Sequence, residues 1–188
     1  MKPAFAASWT LVFAVTSLAL AQTTKPAATQ PADVALSNVR LQTLAPRTFL
    51  YIPTETTLAD LPAVVGQTVT TLMREVAENK VEVAGPIIFV YEGMTGEPNK
   101  PFKLQIGLVV ADDTKAPHGT KVRGMPAYKA LTILHSGPMP TIGQAYQKLM
   151  PAVFAQHQQP SGESREYYLY WEGPQSVNNV TLVAMGLK

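Results

Sequence analysis

Residues 130–149 of the chain read ALTILHSGPMPTIGQAYQKL. The first part is a short apolar run, which indicates a β-strand, and His135 ends it just before a turn of serine, glycine and proline at 136–138. From Ile142 to Leu149 the apolar side chains recur at spacings of three and four, which is typical of an amphipathic helix. This stretch therefore predicts a strand, a tight turn and a helix in succession.

The same order of elements occurs about 80 residues earlier in the chain. In the first copy the apolar helical positions run from Leu58 to Val76, with Asp60 as the expected N-cap. In the second copy Pro151 lies inside the periodic pattern, and we expect it to kink or divide the helix. After each helix come a loop and two further strands, so the repeated unit is β-α-β-β.

Three strands and one helix bury little apolar surface by themselves, whereas two such units bury a shared core. The sequence therefore predicts an α+β domain over residues 34–188, made of duplicated β-α-β-β modules with pseudo-twofold symmetry. Module 1 spans about 34–112 and module 2 about 120–188. We expect a ligand cleft between the modules, lined by apolar and aromatic side chains. The alternative is that the duplication only closes the core and that the cleft is filled.

Composition narrows the classes of function. The chain has 188 residues, of which 46% are hydrophobic, with 15 Lys and Arg against 13 Asp and Glu. This near balance of charge argues against a nucleic-acid partner, which a basic stripe would indicate. There is no cysteine, no phosphate-binding glycine loop and no metal-binding motif, so we expect neither a cofactor nor a metal.

The first 33 residues differ from the rest. Residues 1–21 begin with Lys2, continue as an apolar run and end in Ala19-Leu20-Ala21, the pattern of a secretory signal peptide cleaved after Ala21. Residues 22–33 are rich in Thr, Ala and Pro, which predicts a flexible tether. We therefore expect a periplasmic or secreted protein with no stable membrane insertion after cleavage.

Two carboxylates have the context expected of catalytic groups. Glu92 and Glu172 each follow an aromatic residue and precede a glycine at the end of a predicted strand. If both pointed inward they would provide an acid and a base for hydrolysis. Solvated side chains at strand ends are the alternative interpretation of both.

Aromatic residues are the richer set of candidates. In the run from Tyr167 to Trp171, strand alternation places Tyr168 and Tyr170 on one face, and Tyr167, Leu169 and Trp171 on the other. Either set is sufficient for a wall on which an aromatic ligand stacks.

The stretch 130–149 resembles the GyrI-like effector-binding family, which includes DNA-gyrase-inhibitory proteins and the ligand domains of AraC-type and MerR-type regulators. The shared elements are the His-x-Gly-Pro turn and the Ile-Gly-x-Ala-Tyr-x-x-Leu helix. Residues 84–91 (AGPIIFVY) and 104–110 (LQIGLVV) are similar to two strands of the family's first half. The resemblance extends from about residue 34 to residue 188.

The resemblance implies two modules around a cleft that binds amphipathic, often cationic, small molecules between aromatic walls and a buried carboxylate. The family's strand-borne glutamates fall on Gln105 and Leu182 here. We therefore expect a cleft without a fixed negative charge, which prefers neutral or weakly polar ligands, with Gln105 and tyrosine hydroxyls orienting them. The candidate ligand-binding residues are Tyr51, Phe89, Tyr91, Gln105, His135, Tyr146, Tyr168, Tyr170, Trp171 and Leu182.

The sequence thus predicts an exported protein that binds a small apolar or aromatic molecule non-covalently. A hydrolase that uses Glu92 or Glu172 with a tyrosine is the first alternative. A protein-interaction module with a filled cleft is the second.

Overall fold

The computed structural model describes residues 34–188. The signal peptide and the tether expected at residues 1–33 lie outside the described residues. The described strands are β1 Ala35–Leu36, β2 Arg40–Leu44, β3 Arg47–Thr56, β4 Val83–Glu92, β5 Phe102–Val110, β6 Lys121–Met125, β7 Tyr128–Ser136, β8 Pro160–Tyr170 and β9 Val180–Leu187. The helices are α1 Leu61–Glu78 and α2 Gly143–Ala155, with a single 3₁₀ turn at Met139–Thr141.

The nine strands form one sheet in the order β1-β7-β9-β8-β4-β5-β3-β6, with β2 also paired to β7. Every strand pair in it is antiparallel. The strands β4 and β8 lie side by side in the middle, where Phe89 is the direct partner of Glu166. The order strand, helix, strand, strand occurs at residues 47–110 and again at 128–187. The fold is therefore dominated by the sheet, with two helices packed on it.

The first helix begins where the sequence predicts. Asp60 is the residue before α1 and Pro62 lies in its first turn, but the Asp60 side chain makes no capping hydrogen bond. Instead, the Asp60 carboxylate accepts a hydrogen bond from the hydroxyl of Thr57, which lies outside the helix, at 2.8 Å. Leu72 and Val76 of α1 are buried against the sheet.

For the second helix, a kink or a division was expected at Pro151. The helix is not divided, since α2 continues through Pro151 as far as Ala155. Ala145, Leu149 and Val153 are fully buried and pack with Leu131 of β7. These contacts hold the helix on the sheet on both sides of the proline.

Packing against the helices uses one face of the sheet, but the opposite face is also well buried. Phe49, Ile88 and Val90 on that face have no solvent exposure and form their own cluster. Arg165 is buried there too, with its guanidinium 3.6 Å from the ring centroid of Tyr128. Strand alternation therefore separates the side chains near α1 and α2 from a second set on the other face.

Within residues 34–188, no helix has both the length and the apolar character needed to cross a bilayer.

Candidate functional site

A cavity of about 1060 Å³ lies over the middle of the sheet, on the side of the two helices. Its volume is at the upper end of the range usual for small-molecule sites. The sheet contributes lining residues from β4 and β8, and α1 and α2 contribute others. The loops before each helix and after β4 and β8 complete the cavity. The lining residues are Leu58, Leu61, Pro62, Val65, Gly66, Val69, Ile87, Phe89, Tyr91, Met94, Gly96, Met139, Pro140, Ile142, Gly143, Tyr146, Glu166, Tyr168, Trp171, Pro174 and Gln175.

One acidic side chain lies among these mostly apolar residues. Glu166 is in β8, lines the cavity and is only 3% exposed. Tyr91 and Tyr168 donate hydrogen bonds to its Oε2 atom at 2.9 and 2.7 Å, and Tyr146 donates one to Oε1 at 2.9 Å. Three donated hydrogen bonds suit an ionised carboxylate, which only accepts. This cluster corrects the expectation of a cleft without an acidic group.

Burial and hydrogen bonding have opposite effects on the pKa of Glu166. Burial is the larger effect and raises it, whereas the hydrogen bonds from Tyr168, Tyr146 and Tyr91 lower it, so that the pKa lies above its ordinary value. Burial, followed by the nearby Glu166, raises the pKa of each of the three tyrosines well above 10.0. The three hydroxyl groups therefore remain protonated donors over the physiological pH range.

The Glu166 carboxylate has no cationic partner in residues 34–188. No lysine, arginine or histidine nitrogen of this part of the chain lies within 4.0 Å of it. The nearest basic residue in sequence, Arg165, lies on the other face of the sheet and pairs with Glu163 at 2.6 Å. A buried carboxylate without a counter-charge is costly, and a positive charge placed beside it would offset that cost.

Aromatic rings form a continuous wall beside the acid. The rings of Phe89 and Tyr168 have centroids 4.6 Å apart, and Trp171 meets Tyr168 edge-on at 5.9 Å. Trp171 is 48% exposed, so it lies at the mouth of the cavity. Such rings offer both apolar surface and electron-rich faces to a cation.

The loops at the mouth are tied to each other. The backbone N–H of Met139 donates to the carbonyl of Pro174 at 2.9 Å, and that of Gly137 donates to the carbonyl of Asn179 at 3.0 Å. These bonds connect the turn before α2 with the loop after β8. The two segments therefore form one rim.

Five of the predicted ligand-binding residues line the cavity: Phe89, Tyr91, Tyr146, Tyr168 and Trp171. The other five, Tyr51, Gln105, His135, Tyr170 and Leu182, do not line it. Strand alternation accounts for Gln105 and Leu182. Gln105 is the partner of Val90, next to Tyr91, and Leu182 is the partner of Tyr167, next to Tyr168, so both point to the opposite face.

Local contacts account for the remaining three. Tyr51 stacks on Phe49 at 5.2 Å, in the cluster of the opposite face. His135 is fully buried, with its Nε2 atom 2.8 Å from the hydroxyl of Thr141, and burial lowers its pKa. Tyr170 follows a bulge in β8 and donates to exposed Glu172 at 2.9 Å.

The same bulge corrects the expected faces of the aromatic run. The pairing of β8 with β9 shifts between Tyr168 and Tyr170. Simple alternation grouped Tyr170 with Tyr168, but it is Trp171 that joins Tyr168 in the cavity wall. An extra residue in one strand exchanges the faces of the residues beyond it.

Neither carboxylate proposed for catalysis is in the cavity. Glu92 is half-buried and accepts a hydrogen bond from Gln105 at 2.9 Å. Glu172 is exposed, and hydrogen bonds from Ser176, Asn178 and Tyr170 lower its pKa, which suits a solvated anion. The hydrolase alternative is not favoured, because neither group lines the cavity.

The sequence does contain a signal for Glu166, although reasoning on the aromatic run alone missed it. Glu166 lies two residues before Tyr168 in the same strand, so alternation places the two side chains on one face. The hydrogen bonds from Tyr91 and Tyr146 come from other elements, and no local pattern indicates them.

Residues 34–188 contain no group of three or more His, Asp or Glu side chains that is arranged to hold a metal ion.

The family to which this chain belongs is the GyrI-like small-molecule binding domain, whose model matches residues 37–183. Among curated proteins, none is significantly similar in sequence.

Solved structures show the same fold. The EcmrR C-terminal domain is 17% identical with a TM-score of 0.67, and the match covers 85% of this chain and 99% of that domain. An EcmrR–DNA complex matches at 16% identity and a TM-score of 0.69, over 80% of this chain, and this chain spans only 57% of the length of that one. SAV2435 bound to tetraphenylphosphonium is 14% identical with a TM-score of 0.59, over 81% of this chain and 94% of that one. At these identities the likeness concerns the fold alone.

Proposed function

We propose that this protein binds a small aromatic cation non-covalently in the cavity beside Glu166. The observation that carries the proposal is a buried carboxylate with three tyrosine donors and no basic partner in the described residues. A bound cation balances the charge of this carboxylate without rearranging the fold. The apolar remainder of the wall gains from burying aromatic rings.

The tyrosine hydroxyls restrict the kind of cation that fits. A carboxylate has about four acceptor positions, and Tyr91, Tyr146 and Tyr168 use three of them. A primary ammonium or a guanidinium needs several acceptors, which the apolar walls do not supply. A diffuse cation without hydrogen-bond donors has no such need, so it is the better ligand. The relative that is bound to tetraphenylphosphonium supports this choice by its ligand.

The ligand site lies between two modules that arose by duplication. The order strand, helix, strand, strand in both halves supports this origin, as does the central pairing of β4 with β8. Tyr91 comes from the first half and Glu166 from the second, so both modules contribute to the site.

The protein acts outside the cytoplasm as a binding protein. The signal-peptide pattern of residues 1–21 supports export, with cleavage after Ala21. Mass spectrometry of protein recovered from the periplasm or the medium tests this point. A mature chain that begins at Gln22 is the expected result, and an intact Met1 in a cytoplasmic protein contradicts it.

The decisive experiment compares two probes of nearly equal shape and opposite charge. Isothermal titration calorimetry is carried out with tetraphenylphosphonium and with tetraphenylborate. We expect tetraphenylphosphonium to bind more tightly than tetraphenylborate. We expect Glu166→Gln to reduce this difference in affinity, because the substitution removes the negative charge of the carboxylate. Equal affinity for the two ions, or tighter binding of the borate, would falsify the proposal.

A further inference from the structure

Two glycines in the cavity wall are not required by the local backbone. Gly66 lies inside α1 and Gly143 is the first residue of α2. Neither has the positive φ that makes glycine necessary. A Cβ atom at either position meets no atom within 4 Å. The fold therefore gives no steric reason for glycine at either place.

Two other glycines of residues 34–188 do have such a reason. A Cβ atom at Gly107 collides with the carbonyl oxygen of Leu50, and one at Gly186 collides with the hydroxyl of Tyr128. Gly66, in contrast, weakens its helix, because glycine is a poorer helix former than alanine. Its position in the cavity wall offers an explanation.

Both glycines lie on helix surfaces that face the cavity. Gly66 is one turn beyond Pro62 and one turn before Val69, and all three line the cavity. Gly143 is one turn before Tyr146, whose hydroxyl bonds to Glu166. The open space at each missing Cβ atom is therefore space within the cavity.

We propose that Gly66 and Gly143 determine specificity by setting the largest ligand that fits. The bare helix backbone lets a broad aromatic ligand lie directly against both helices. This inference rests on the proposed function and narrows its ligand class to cations with several rings. Small cations with one ring leave the space beside the glycines empty.

The test fills this space with side chains. We compare Gly66→Leu and Gly143→Leu with Gln67→Leu and Gln144→Leu, whose positions are adjacent, exposed and outside the cavity wall. Titration calorimetry is carried out with tetraphenylphosphonium and with the smaller phenyltrimethylammonium. We expect both glycine variants to lose about tenfold or more in affinity for the large probe, and less than about threefold for the small one. The glutamine variants keep both affinities.

A milder variant protects the test against unfolding. Gly66→Ala is expected to raise the melting temperature, because alanine favours the helix. It is also expected to lower the affinity for tetraphenylphosphonium, but by less than Gly66→Leu does. The inference is overturned if both leucine variants bind tetraphenylphosphonium as the wild type does, or if both probes lose affinity equally. A lower melting temperature for Gly66→Ala also overturns it, because glycine would then serve the fold.

Failure of this inference is distinguishable from failure of the proposed function. If Glu166→Gln lowers the affinity for tetraphenylphosphonium but the glycine variants do not, the role of the glycines is wrong and the cation site at Glu166 stands. If Glu166→Gln leaves this affinity unchanged but the glycine variants exclude tetraphenylphosphonium, the cation site at Glu166 is wrong and the role of the glycines stands.

Discussion

The hydroxyl of Tyr91 donates a hydrogen bond of 2.9 Å to Glu166, although the two residues are 75 positions apart in the chain. Tyr91 lies in β4 and Glu166 in β8, the two strands that meet in the middle of the sheet. Tyr146 reaches the same carboxylate from α2. The hydrogen bonding of the acid thus depends on how β4, β8 and α2 pack together.

Affinity for a cation is expected to fall as the pH is lowered through the raised pKa of Glu166. The protonated carboxyl has no charge to offer, so a bound cation lowers this pKa and its binding releases a proton. Titration calorimetry with tetraphenylphosphonium over a series of pH values measures the effect. The Glu166→Gln variant is the control, and its affinity is expected to be independent of pH over that range. A wild-type affinity without pH dependence contradicts the assignment.

Ionisation of Glu166, which favours cation binding, is expected to lower the stability of the ligand-free protein. The ordinary pKa of 4.5 applies to unfolded Glu166, whereas the folded pKa is raised. Between these two values the folded protein keeps a proton that the unfolded chain has released, so the free energy of unfolding falls as pH rises. Below 4.5 both states are protonated and the loss is absent.

Urea unfolding of the wild type and of Glu166→Gln measures this contribution. The stability of the variant relative to the wild type should increase with pH above 4.5 and level off above the folded pKa. A difference that stays constant across the whole pH range is the opposing result.

Removal of one tyrosine hydroxyl should lower both the stability of the protein and the tendency of Glu166 to ionise. Tyr91→Phe, Tyr146→Phe and Tyr168→Phe each take one hydrogen bond from the buried carboxylate, which is worth about 1–3 kcal/mol. We expect a lower free energy of unfolding at neutral pH and a higher pH midpoint for cation binding. Tyr170→Phe is the matched control, because Tyr170 bonds to exposed Glu172 outside the cavity. Equal effects of Tyr170→Phe and Tyr168→Phe count against the site.

Gly107→Ala is expected to destabilise the fold without a change in the cavity. Its Cβ atom collides with the backbone carbonyl of Leu50 and with the ring of Phe49, and the carbonyl cannot move aside. Overpacking of this kind costs about 1–3 kcal/mol or more. Gly124→Ala is the control, since a Cβ atom there meets nothing within 4 Å. Thermal unfolding of the two variants compares them, and similar melting temperatures contradict the packing described for Gly107.

Gln105→Ala is expected to leave ligand affinity unchanged. Gln105 donates to Glu92 and accepts from Arg123, all on the face away from the cavity. The variant should lose about 1 kcal/mol of stability, because it removes two partly buried hydrogen bonds. Parallel calorimetry and urea unfolding separate the two effects. A large loss of affinity with little loss of stability opposes this placement.

The sequence predicts those parts of the fold that depend on local periodicity. Helix α1 begins after Asp60 as expected, because its apolar spacing and the early proline are local signals. Phe89 and Tyr91 both line the cavity, since strand alternation holds along β4. Asp60 is the N-cap as expected, but its side chain makes no capping hydrogen bond, because the carboxylate bonds to the hydroxyl of Thr57.

Prediction of the site fails where tertiary structure or strand irregularity decides. Glu166 acquires its role from Tyr91 and Tyr146, which belong to other elements. Gln105 and Leu182 were chosen by resemblance of position, but the register of their strands turns both away from the cavity. Trp171 lines the cavity although simple alternation places it on the opposite face, because the bulge before it exchanges the two faces.

That bulge offers a short mutational route to a new ligand range. Insertion of one residue between Val180 and Thr181 of β9 would give Leu169 a partner, so that the residues after Tyr168 exchange faces. The tyrosine at 170 would then turn towards the cavity, and the indole of Trp171 would turn away from it. A single-codon insertion at the start of a strand thereby replaces the aromatic group at the entrance, while Glu166 and the buried core remain as they are.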